Sequence, residues 1–142
     1  MIRRALCVVG VSAGLSVLLG GAGVLAHHSF TAEYDNNKPI TLKGTVTKML
    51  WVNPHGWLHI DAKGPDGKVV DWAIEFGGPT GLYRRGWRPK DLPVGAEVTV
   101  DGWLAKDGSP TINASRVTLP DGRRLFAGSS GNGAPPPPTD PQ

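Results

Sequence analysis

The side chains best suited to chemistry in this chain are its four histidines, His27, His28, His55 and His59. His27 follows Val24-Leu25-Ala26, where small residues at Val24 and Ala26 form a signal-peptidase site. Cleavage between Ala26 and His27 would leave a histidine that carries a terminal amine and an imidazole together. That amine ordinarily titrates at about 7.7–8.0, so a metal can displace its proton near neutrality. Copper(II) favours nitrogen donors in a roughly planar array. The terminal residue would supply two of them, and His55 or His59 could supply a third. Glu33, Asp35 and Glu75 are candidate oxygen donors. The metal set read from the sequence is therefore His27, His28, His55 and His59, with copper, or another divalent ion, as its cofactor.

Each of these residues also has a plainer explanation. His27 and His28 could be the solvated start of an arm. His55 lies in Asn53-Pro54-His55-Gly56, whose residue types favour a turn. His59 falls within a strand, where it faces Trp72 in one register and Ala73 after a one-residue slip that reverses its face. The terminal chelate resembles the histidine brace of copper oxygenases and of some periplasmic copper binders.

The segment before His27 has the layout of an export signal. Arg3 and Arg4 precede an uncharged, Val- and Leu-rich run, and the cleavage site follows. The run is also long enough to span a bilayer, so a retained anchor is the alternative. Cleavage would leave 116 of 142 residues, enough for one domain, with a periplasmic or secreted location and no membrane attachment. It would remove two of the 15 basic residues, leaving 13 against 12 acidic ones. A net charge of +1 gives no clustered positive surface for nucleic acid. The single cysteine, Cys7, would leave with the signal, so the domain must stand on its core without a disulfide.

A second candidate surface uses the Trp51, Asn53 and Trp57 loop together with Arg84 and Arg85. It would serve a small ligand or an envelope partner without any metal. On the bland reading the tryptophans are core and the arginines are solvated. There is no nucleophile elbow, phosphate loop or His-Glu-x-x-His zinc helix, so the expectation is a binding protein rather than an enzyme.

Period-two patterning predicts strands over Ile40–Trp51, Trp57–Ala62, Val69–Phe76, Val98–Leu104 and Ile112–Leu119. Between the third and fourth, Pro79–Leu92 breaks the pattern and fits a short helix starting near Pro79. The expected fold is all-β: a small five- to six-stranded OB-like barrel with one short helix between strands 3 and 4. Gly44 would bend the long first strand. The expected organisation is signal 1–26, histidine-bearing arm 27–38, barrel 39–126 and a Gly/Ser/Pro-rich disordered tail 127–142.

Several motifs recur together: His27-His28-Ser29-Phe30, Lys43-Gly44-Thr45-Val46, Trp51-x-Asn53-Pro54-His55, Arg84-Arg85-Gly86-Trp87, Val98-Thr99-Val100 and Leu119-Pro120-Asp121-Gly122-Arg123. With them the chain resembles the small exported bacterial proteins called domain of unknown function 6152. The resemblance implies an envelope protein of uncharacterised role and transfers no activity or site.

Overall fold

The computed structural model describes residues 29–128. The Ala26–His27 junction, both leading histidines and residues 129–142 lie outside them. A four-residue helix, α1 (Phe30–Glu33), leads into β1 (Tyr34–Leu50), β2 (Trp57–Lys63) and β3 (Val69–Glu75). Helix α2 (Pro79–Arg84) and a 3-10 turn (Pro89–Asp91) follow, then β4 (Glu97–Ala105), β5 (Thr111–Thr118) and β6 (Arg124–Phe126).

The sheet order is β3-β2-β1-β4-β5-β6, antiparallel throughout, with an added parallel pairing of β3 with β5. That pairing closes five strands into a ring, with α2 inserted between β3 and β4. This is the element order and closure of an OB-like barrel. Closure gives the first five strands neighbours on both sides and so removes most free edge.

Alternate residues fill the interior: Leu42 and Val46, Leu58 and Ile60, Trp72 and Ile74, Val98 and Val100, Ile112 and Ala114. Phe76, Leu82, Trp87 and Leu92 extend this core. The fully buried Trp87 places its indole N–H on Phe126 O at 2.8 Å, which satisfies its one polar group. Helix α2 starts where Pro79 needs no hydrogen-bond partner and stops before Gly86, whose φ of 95° suits only glycine.

Gly44 pairs with Ala62 on one side and Val98 on the other, so one strand serves both halves of the ring. A Cβ there would lie 2.5 Å from Asp61 O and 2.8 Å from Ala62 Cβ. Glycine is therefore the residue that lets β2 approach this closely.

Two features differ from the sequence reading, and a third, the sixth strand, gains the range that reading left open. β1 begins at Tyr34 rather than Ile40, so the end of the segment read as an arm, from Tyr34 on, is strand. Its start is pinned by a second, smaller apolar cluster of Phe30, Tyr34 and Trp103 on the outside of the ring. β6 follows the turn at Gly122 (φ 82°) and pairs with the end of β5. Ala127, read as the first tail residue, is buried, and its N–H and C=O bond Ser115 O (2.9 Å) and Gly77 N (2.8 Å).

Candidate functional site

His55 is delivered by the loop between β1 and β2, and that loop is fastened to the end of β3. Gly56 N donates to Gly77 O at 3.2 Å, and Phe76 N donates to Gly56 O at 2.8 Å. Gly78 lies so close beneath the loop that a Cβ there would sit 2.7 Å from Pro54 O. Two backbone bonds next to His55 leave its ring facing the last residues of β3. Its Nδ1 lies 3.2 Å from Glu75 Oε1 and 3.3 Å from Phe76 O.

Glu75 sits between two core residues, Ile74 and Phe76, so strand alternation turns it to the outer face. An outward carboxylate should be solvated, yet Glu75 is only 7% exposed. The chain ahead of the ring covers it. Tyr34 is buried there and its hydroxyl donates to Glu75 Oε2. Phe30 stacks on Tyr34 with centroids 5.7 Å apart and meets Trp103 edge-on at 5.3 Å. Lys106 fastens the same segment twice, N to Glu33 O at 2.8 Å and Nζ to Thr31 O at 2.5 Å.

A buried carboxylate is costly unless its oxygens are bonded. Here each oxygen has a different donor, Tyr34 on one and His55 on the other. Burial first, then the hydrogen bond and charge of Glu75, push the Tyr34 phenol far above its ordinary 10.0. Tyr34 therefore stays protonated and keeps donating. The result is a connected path, Phe30 to Tyr34 to Glu75 to His55, from the start of the described chain to the histidine of the loop between β1 and β2. Asn113 stands opposite Glu75 on β5, is buried, and has an Oδ1 without a hydrogen-bond partner.

His59 belongs elsewhere. It faces Ala73 across the ladder, and Trp72 points inward opposite Ile60. Its Nδ1 meets Asp71 Oδ2 at 3.1 Å on a more exposed part of the same outer face. Asp71 and Glu75 are four residues apart, about 13 Å along a strand. The two carboxylates thus hold one histidine each, and the structure does not bring His55 and His59 to one point. Among the described residues no three His, Cys, Asp or Glu side chains form a metal-holding group.

The second candidate surface is also divided. Trp51 stacks on Tyr83 at 5.7 Å and meets Trp87 edge-on at 6.5 Å, which makes it an extension of the core. Asn53, in a cis peptide with Pro54, is exposed, as is Arg84. Arg85 holds the C-terminal segment: Nη1 donates to Gly128 O at 3.2 Å and the guanidinium lies 4.6 Å from the Phe126 ring centroid. Trp57 lies on the other side of the loop, opposite Glu75. With Tyr34, Glu33, Lys106 and Asp107 it lines an open hollow of about 600 Å³. Hydrogen bonds from Ser109 hold the Asp107 carboxyl below the usual range.

Sequence reasoning named His55 and Glu75 separately, but missed Tyr34, Phe30 and Asn113. The aromatic pair Phe30 and Tyr34, four residues apart at the entry to the first strand, was the available signal.

Fold and site together define a small OB-like ring with a docked leading segment and a buried Tyr–Glu–His path. The chain belongs to the family of unknown function 6152 (DUF6152), whose profile matches residues 16–113. No curated protein matches. One chain of a solved structure, described as the crystal structure of the TiaS-tRNA(Ile2)-ATP complex, is similar at 25% identity with a TM-score of 0.44. The match covers 60% of this chain and 18% of that one, too slight a likeness to carry an argument. No helix among the described residues is long and apolar enough to cross a membrane.

Proposed function

We propose that this protein is an exported, non-enzymatic binding module that holds copper(II) with its processed N-terminus and His55. The observation that carries the reading is the burial of Phe30, at 2% exposure, against Tyr34 and Trp103 on the ring. His27 and His28 immediately precede Ser29 and Phe30, and the three steps from His27 to Phe30 span at most about 11 Å. Docking of Phe30 therefore keeps an N-terminal amine within reach of the ring. The Tyr34–Glu75–His55 path supports His55 as the third nitrogen, because its carboxylate-bonded imidazole is the arrangement in which metal-bound histidines are commonly held. His59, drawn to Asp71, is left out of this set.

The test is a competitive Cu(II) titration of protein beginning at His27, alongside the same protein with its terminal amine acetylated. Acetylation removes the amine donor without creating a new one, so affinity should fall by at least tenfold. Equal affinity would remove the terminal chelate. Negligible binding by both would favour a metal-independent module, for which the exposed Tyr83 stacked on Trp51 is the best surface.

A further inference from the structure

We propose that Glu75 is a positioning residue that, braced by Tyr34, holds His55 as the Nδ1–H tautomer and so fixes Nε2 as the nitrogen offered to a metal. The metal half of this statement rests on the copper reading above; the tautomer half does not.

Both groups beside His55 Nδ1, Glu75 Oε1 at 3.2 Å and Phe76 O at 3.3 Å, are oxygens that accept. The nitrogen facing two acceptors must carry the proton, and in a neutral imidazole the lone pair is then on Nε2. Phe76 O cannot move, because the same peptide region is bonded to Gly56 and buried in the core. Glu75 is held at its other oxygen by Tyr34 Oη, and the Tyr34 ring is packed beneath Phe30. His55 is therefore oriented by a group that is itself anchored to the segment carrying the terminal histidines. Docking of that segment and presentation of His55 Nε2 become one event.

Glu75→Gln discriminates. Glutamine has one carbonyl oxygen where glutamate has two acceptors. If that oxygen keeps the Tyr34 bond, the amide N–H₂ faces His55 Nδ1 and favours a lone pair there. If it turns to His55, the buried Tyr34 hydroxyl loses its acceptor. The variant should thus populate the Nε2–H tautomer, or else free the Tyr34 hydroxyl.

Imidazole ¹⁵N–¹H correlation spectra of metal-free protein, expressed from the full sequence, read the tautomer of His55 without any copper. Wild type should show His55 as Nδ1–H, and Glu75→Gln should show a measurable Nε2–H population or a changed Tyr34 hydroxyl signal. Cu(II) affinity of the variant should fall about tenfold or more, the size typical of a lost second partner behind a ligand. Tyr34→Phe, which keeps Glu75, should retain the Nδ1–H form while lowering Cu(II) affinity by a smaller factor; this variant decides the matter if Glu75→Gln does not fold. An Nε2–H tautomer in wild type, or a Gln variant with unchanged spectrum and unchanged affinity, would overturn the proposal. A wild type with the expected tautomer but no copper affinity would instead sink the copper reading and leave the role of Glu75 in orienting His55 standing.

Discussion

Tyr34→Phe removes one oxygen and leaves the ring in its place between Phe30 and the sheet. No apolar contact is lost, so the change isolates the hydrogen bond to a buried carboxylate. Such bonds to a charged acceptor are worth about 1.5–3 kcal/mol, and the lower-middle of that range applies because His55 still serves the other oxygen. About 2 kcal/mol corresponds to a Tm lower by roughly 8–16 °C for a domain of this size. Urea unfolding at pH 7 should show a lower midpoint with unchanged slope, since the surface exposed on unfolding is the same.

The alkaline limb adds an independent sign. Folding raises the Tyr34 pKa above its unfolded 10.0, through burial and then Glu75. That contribution is fully present below pH 10 and is lost as pH climbs beyond it, because the unfolded chain gives up a proton that the folded one retains. The wild type should therefore lose stability relative to Tyr34→Phe by up to about 1.4 kcal/mol per pH unit above 10. Equal stability of the two proteins at pH 7, or parallel alkaline profiles, would refute the buried Tyr34–Glu75 bond.

Other substitutions probe contacts elsewhere in the fold. Asp91→Ala should cost about 1–3 kcal/mol, because it strips the acceptor from Arg88 N–H and from Arg123 Nη2, both at 2.7 Å; chemical denaturation checks it. Gly44→Ala should destabilise by about 1–3 kcal/mol through the clash with Asp61 O and Ala62, seen as a lowered Tm. His59→Ala should change stability by less than about 0.5 kcal/mol, since its pairing with Asp71 is partly solvated. The same variant should leave Cu(II) affinity unchanged, whereas His55→Ala should reduce it at least tenfold.

The strands most legible in the sequence were those with one apolar face. Leu42 and Val46 alternate with threonine and lysine, and Leu58, Ile60 and Ala62 alternate with His59 and Asp61, so their period predicts the strand and its inward side. Tyr34 to Lys38 gave no such signal. Asp35, Asn36, Asn37 and Lys38 have low strand propensity, and the segment is extended because Tyr34 pairs with Ala105 and Pro39 with Trp103. Glu75 was equally opaque. Alternation assigned it correctly to the outer face, but its burial depends on Phe30 and Tyr34, more than forty positions upstream, folding over it. The partner of His59 was undecidable locally, since two registers differ by one residue; matching Ile60 with Trp72 in the core selects the one observed. Trp51 read as either core or binding surface, and Arg85 as a surface group, because nothing nearby in sequence announces Tyr83, Phe126 or Gly128 as their neighbours.

On the proposed function, export yields a chain whose first residue is His27, which together with His55 retains copper. Native mass spectrometry of protein secreted under its own leader measures both at once. The expected mass begins at His27 with one copper ion retained after desalting, and His55→Ala prepared identically should retain less copper. A different first residue, or a wild-type protein that carries no ion after exposure to Cu(II), would contradict it.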